Sequence, residues 1–240
     1  MDEQIVKLIN EYHPSGEVAE IVKRVPKVFL VGIAAAGKSV ILKKVLETGK
    51  YYEIISYTTR HPRENRGEPE VNGVDYFFID KPQGIKMLEN HEFIEAKWIH
   101  RQTLSGTTAS ELKKAGDKGK IAIADIDVHG VEEYIKMAPD STKPIFILPP
   151  DFDTWQTRFK ARYEGRLGEG EFQRRMYTAA QEIEHVLSKH YYSIVINDDL
   201  DDAVEQIQSI ASGEQQSDFA WQRGSRVAHE LLDAIRSSTH

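Results

Sequence analysis

The run Gly32-Ile33-Ala34-Ala35-Ala36-Gly37-Lys38-Ser39 carries glycines, a lysine and a hydroxyl at the spacing of a loop that cradles phosphate. A glycine-bounded turn leading into a helix aims several backbone N–H groups at one point, and a polyphosphate suits that point. Gly32, Ala34, Ala35, Ala36, Gly37, Lys38, Ser39 and Val40 are expected to line it. Lys38 would neutralise the outer phosphates and Ser39 would offer a hydroxyl to Mg²⁺.

A phosphate loop alone names no reaction, so the other groups able to work with it decide. Arg60 and Arg63 flank Pro62, and arginine's planar fork fits phosphate oxygens. With the Tyr76 hydroxyl they would hold a second phosphate; equally, they would form a solvated loop paired with Glu64, Glu68 and Glu70. Arg158, Arg162 and Arg166 recur every fourth residue, with Arg174 and Arg175 beyond a glycine-containing break. They suit a lid that clamps transferring phosphoryl oxygens, or surface pairs with Glu164, Glu169 and Glu171. Asp125 and Asp127 close an apolar run, and alternation would put both carboxylates on one side, where they would hold Mg²⁺ or its waters or accept donors from a base. Together these groups suggest phosphoryl transfer between two phosphorylated molecules. Such a reaction works through positioning and charge neutralisation. A phosphate acceptor is already anionic near neutral pH, so no general base is required.

The elements that must hold these groups follow from hydrophobic patterning. Val28 to Val31 reads as a buried strand before the loop, and Ile41, Leu42 and Val45 as the inner face of the helix after it. Four further short apolar runs, Glu53 to Tyr57, Ile121 to Ile126, Pro144 to Leu148 and Ser193 to Ile196, suit strands of a parallel sheet covered on both faces. Intervening helical stretches make the fold α/β. Residues 58–108 break the alternation and read as an inserted lobe with strands at Asp75 to Ile79 and Phe93 to Trp98, while residues 158–175 read as the lid. Residues 1–25 read as two helices broken at His13-Pro14-Ser15-Gly16. Residues 212–240 read as a linker and a helix capped by Asp218, docked on the body.

Composition narrows the class. The 240 residues carry a net charge of −7, which argues against general nucleic-acid or anionic-membrane binding. There are no cysteines, so disulfides, thiol nucleophiles and zinc-thiolate sites are excluded. The acidic N-terminus resembles no secretory signal, no run is long enough to span a bilayer, and a cytoplasmic location is expected.

From about Lys27 to about Ser209 the motif order resembles guanylate kinase. The matching segments are Gly32 to Ser39, Ser56-Tyr-Thr-Thr-Arg-His-Pro-Arg63, Asn72-Gly-Val-Asp-Tyr76, Glu92-Phe-Ile-Glu95, Asp125-Ile-Asp-Val-His-Gly130, Ile145-Phe-Ile-Leu-Pro-Pro150, Glu164-Gly-Arg166 and Val195-Ile-Asn-Asp-Asp-Leu200. The resemblance implies a P-loop nucleoside monophosphate kinase fold. A five-stranded parallel sheet flanked by helices would form a core at 26–57 and 109–211, with a GMP-binding lobe at 58–108 and the lid inserted. It implies Mg²⁺-dependent transfer from ATP to GMP or dGMP by a monomer or homodimer. Arg60, Arg63 and Tyr76 match positions that hold the GMP phosphate; Ser56, Glu95, Thr107 and Asp127 match positions that read guanine. Lys38, Arg162, Arg166 and Arg175 match the catalytic cations, Asn197 the loop beside the ATP adenine, and Ser39 and Asp125 the metal side.

The sequence also departs from the family. Ile33-Ala34-Ala35-Ala36 replaces the usual Pro-Ser-Gly-Ala, and Val40 replaces a hydroxyl residue. The segment from Arg63 to Tyr76 is longer than usual, and Arg101 to Thr107 lacks the usual tyrosine pair. These departures leave two other readings: a kinase whose acceptor has shifted to a modified nucleotide or a phosphorylated ribose, and a guanylate-kinase-like module that holds a protein partner without catalysis. The absence of an Asn-Lys-x-Asp motif argues against a GTPase switch.

Overall fold

The structure, a computed structural model, describes residues 1–65, 68–99, 101–163 and 169–238. In chain order it contains α1 (Asp2–Asn10), α2 (Gly16–Arg24), β1 (Lys27–Val31), α3 (Lys38–Glu47), β2 (Tyr51–Glu53), β3 (Tyr57–Thr58), β4 (Glu64–Asn65), β5 (Glu68–Pro69), β6 (Phe77–Phe78), α4 (Lys81–Glu89), β7 (Phe93–Ile99) and β8 (Thr103–Thr108). There follow α5 (Ala109–Asp117), β9 (Ile121–Asp125), α6 (Val128–Met137), β10 (Thr142–Leu148), α7 (Phe152–Tyr163), α8 (Glu169–Leu187), β11 (Ser193–Ile196), α9 (Leu200–Ala211) and α10 (Asp218–Ser238).

A five-stranded parallel sheet runs in the order β11-β10-β1-β9-β2, as the α/β reading expected. Every residue of β1 is buried, the pattern of a strand covered on both faces. β1 pairs with β10 from Lys27↔Thr142 to Val31↔Phe146, and β10 pairs with β11. One expected strand is corrected. Glu53 to Tyr57 is not continuous: β2 ends at Glu53, and β3 begins at Tyr57 in a second sheet. The reason is a competing acceptor, because the Ile55 N–H turns to the Glu111 carboxylate at 3.5 Å and leaves the ladder.

Two compact units divide the chain. The first comprises Met1–Pro26, Tyr51–Ala122 and Glu133–Ser141. Its four-stranded sheet runs β6-β3-β8-β7, with β7 and β8 antiparallel. Ile5 of α1 is fully buried with Ile85, Met87 and Leu88 of α4, Phe93 of β7 and Leu104 of β8.

The second unit comprises Lys27–Lys50, Ile123–Glu132 and Thr142–His240. Here α10 lies along the edge strand β11. The Gln216 amide donates to the Ile194 carbonyl at 2.6 Å and accepts from its N–H at 3.0 Å, so a side chain closes a strand edge. Val227, Ala228, Leu231, Leu232 and Ile235 are the buried stripe that docks this helix. The Asp218 cap is corrected: the Ser217 hydroxyl accepts from the Ala220 N–H at 3.2 Å, leaving Asp218 in the first turn. Among the described residues no helix is long and apolar enough to cross a membrane.

Candidate functional site

The phosphate loop belongs to the second unit, between β1 and α3. Three of its carbonyls accept from side chains. The Trp155 indole donates to Ala34 O at 2.7 Å, the Asn197 amide to Ala36 O at 2.8 Å, and Lys38 Nζ to Gly32 O at 2.5 Å. A carbonyl engaged by a donor presents less negative charge to an anion held at the loop. Helix α3 starts behind Gly37 with no side-chain cap, and its Val40 and Ile41 N–H groups bond the Gly37 carbonyl at 3.1 Å, so a phosphate there would meet the Lys38 and Ser39 N–H groups. Gly37 is required twice over: its φ is 102°, and a Cβ there would collide with the Asn197 amide. Ala35 sits at φ 65°, a left-handed position natural to glycine but strained for alanine. The Val40 side chain, where a hydroxyl was expected from the family, is exposed.

Asn197, expected beside adenine, is buried with its amide committed to the loop, and its own carbonyl accepts from Arg158 at 2.9 Å. Trp155 had no role in the sequence reading; the contact spans 121 residues of chain, and no local spacing signals it.

Asp125 ends β9 with its carboxylate 3.9 Å from Lys38 Nζ, and the side chain is 37% exposed. Crowding by protein raises its pKa, Lys38 and Arg162 pull it back, and the solvent-facing share moderates the rise. The expected alternation of Asp125 and Asp127 is corrected. The strand stops at Asp125, and Asp127 accepts from the Gly130 N–H at 2.7 Å as the cap of α6. A third carboxyl escaped the sequence reading. Glu182 on α8 feels Lys38, Asp127, Asp125 and Arg175, and burial pushes it up to about 7. Arg162 and Arg175 both lie over the Tyr163 ring, at 5.6 and 5.8 Å. Arg174 and Arg175 also bond Glu171, at 2.7 and 2.9 Å, as the ion-pair alternative expected. Arg166 lies outside the described residues.

In the first unit, three residues expected to read a base come together. The Thr107 N–H donates to Glu95 Oε1 at 3.1 Å, and the Ser56 and Thr107 hydroxyls lie 3.3 Å apart. Tyr134, buried behind them, has its phenol pushed well above its usual pKa by burial and by the Glu95 charge. Arg60 makes a bidentate pair with Glu70 at 2.7 and 2.9 Å and stacks over the Tyr76 ring at 5.1 Å. Glu70 also accepts from the Arg63 N–H at 2.8 Å, and its carboxyl is held below the usual range chiefly by Arg60. The pairing alternative for this loop is thus realised through Glu70, which fixes the guanidinium plane.

Residues 24–214 match the family model described as guanylate kinase. The guanylate kinase of Zymomonas mobilis is 34% identical over 184 residues, 76% of this chain and 81% of that protein. That of Sulfurimonas denitrificans is 34% identical over 209 residues, 87% of this chain and 93% of that protein. A crystal structure of guanylate kinase from Anaplasma phagocytophilum shares the fold with a TM-score of 0.57 at 24% identity, over 81% of this chain and 88% of that one. With a phosphate loop of this geometry, this sheet order and matches over most of both sequences, the chain belongs to the guanylate kinase family.

Proposed function

We propose that the protein transfers the γ-phosphoryl group of ATP to GMP or dGMP, giving ADP and the guanosine diphosphate. The observation that carries this reading is the phosphate loop, with three of its carbonyls engaged by Trp155, Asn197 and Lys38 and no side-chain cap on its helix N-terminus. The intact Gly37-Lys38-Ser39 argues against a module that binds protein without catalysis.

In this reading the loop N–H groups and Lys38 hold the β- and γ-phosphates. Lys38 exchanges its bond to Gly32 O for phosphate oxygens. Arg162, Arg166 and Arg175 neutralise charge as it shifts onto the transferring group. Arg60, oriented by Glu70, binds the GMP phosphate with Arg63 and Tyr76. Glu95 accepts from the guanine ring N–H and exocyclic amine, with Ser56, Thr107 and Asp127 as further contacts. Adenine lacks that donor pair and places an acceptor nitrogen where guanine has its ring N–H, a strong basis for rejection. The acceptor phosphate is anionic, so no residue need remove a proton.

Ser39 and Asp125 offer hard oxygen donors, and among the described residues no cluster of three or more ligating side chains exists. The Ser39 and Asp125 oxygens suit Mg²⁺, an ion that keeps waters and phosphate oxygens as most of its ligands. When bound, it neutralises charge on the β- and γ-phosphates.

Lys38→Ala tests the reading. Turnover should fall about 10²–10³-fold, while GMP binding by calorimetry stays within about twofold of the unaltered protein. Turnover close to the unaltered level would remove the phosphate loop from the chemistry.

A further inference from the structure

Residues before 24 lie outside the family match, yet they are built onto the strand that carries Glu95. Ile5 of α1 is fully buried against Phe93, Leu104 and three α4 side chains. The Tyr12 hydroxyl donates to the Phe93 carbonyl at 2.5 Å across 81 residues of sequence. His13 O is bonded to His91 Nδ1 at 2.7 Å, two residues before that strand begins. Asp2 pairs with Lys81 at 2.7 Å at the start of α4.

The point of attachment matters more than the packing. β7 is the edge strand of its sheet, and its pairing with β8 slips between Phe93 and Glu95. Phe93 faces Thr108 while Glu95 faces Thr107, so Ile94 is the extra residue of a bulge. A bulge re-aims the side chains that follow it, and this one sets the direction of Glu95. The Glu95 carboxylate accepts from the N–H of Thr107, the residue that faces it across the ladder. The carbonyl that Tyr12 holds is the first of the bulge. An edge strand has no neighbour on that side to fix its backbone, and Tyr12 supplies the missing partner.

We infer that Tyr12 is a positioning residue for the base-reading carboxylate: the N-terminal extension pins the β7 bulge through the Phe93 carbonyl and thereby holds Glu95 at the angle that selects guanine. The assignment rests on the guanylate kinase reading for its consequence in catalysis, and on the geometry of the first unit alone for its structural content.

The test is Tyr12→Phe, which keeps the ring and removes only the hydroxyl. KM for GMP should rise about fivefold, the effect of one ordinary hydrogen bond. KM for ATP and kcat at saturating GMP should stay unchanged. The preference for GMP over IMP, which lacks the exocyclic amine, should narrow. A variant in which both KM values move together, or in which KM for GMP and the GMP-to-IMP ratio stay put, overturns the proposal. A second readout is independent of any activity. Amide exchange at Thr107, whose N–H is held by the Glu95 carboxylate, should quicken in Tyr12→Phe while that of β1 does not. Unchanged Thr107 protection also overturns the proposal. If the unaltered protein failed to phosphorylate GMP yet Thr107 exchange quickened, the functional reading would fall and the positioning role would stand.

Discussion

Lys27 begins β1 at 1% exposure, and burial pushes its ammonium from the ordinary 10.5 down to about 7. Between those values the unfolded chain holds a proton that the folded chain has released, so stability should rise as pH climbs from 7 towards 10.5. Lys27→Met should flatten that rise, a difference read from urea midpoints at pH 7 and 9; equal slopes for the two proteins would contradict it. At this scale the sequence was informative where function is local. Gly37, Lys38 and Ser39 could be placed in one loop from spacing because a single turn holds them together. Ala35 could be flagged as a departure, and its φ of 65° shows what the substitution stores, about 1–2 kcal/mol of left-handed strain. Trp155 and Asn197 were illegible as supports, since their bonds to the loop span 121 and 161 residues.

Among the elements, the strands of the parallel sheet were legible as short apolar runs, because burial on both faces leaves few polar positions within them. The boundary at Glu53 was not, because it depends on Glu111. That carboxylate is fully buried on α5 and accepts from Tyr52, the Ile55 N–H and Lys114, at 3.3, 3.5 and 2.5 Å. Nothing in the pattern around Ala109, Leu112 and Ala115 marks a glutamate as an inward residue. Glu111→Ala strands its partners and should cost about 3 kcal/mol in urea unfolding. A loss below about 0.5 kcal/mol would show that the segment carrying Ser56 is held by other means. The two terminal extensions were legible as helices but not as strand-edge covers. Gln216 closes β11 and Tyr12 closes β7, each by one side chain whose partner lies far along the chain or on another element.

For the whole molecule, motif order carried more information than any single motif. The phosphate loop alone fits many nucleotide-binding proteins, and the arginine pair alone fits a solvated loop. Their sequence together implied one family, and the match over residues 24–214 agrees. The changed loop and the lost tyrosine pair made a shifted acceptor worth weighing. Ser56 and Glu95 nevertheless each lie at bonding distance from Thr107, which supports the proposed base-reading role. The measurement that tests this account most directly is ADP release with ATP, Mg²⁺ and each nucleoside monophosphate in turn. Release with GMP or dGMP and little with AMP, CMP or UMP is the expected result. No release with any of them, from protein that binds ATP, would contradict it.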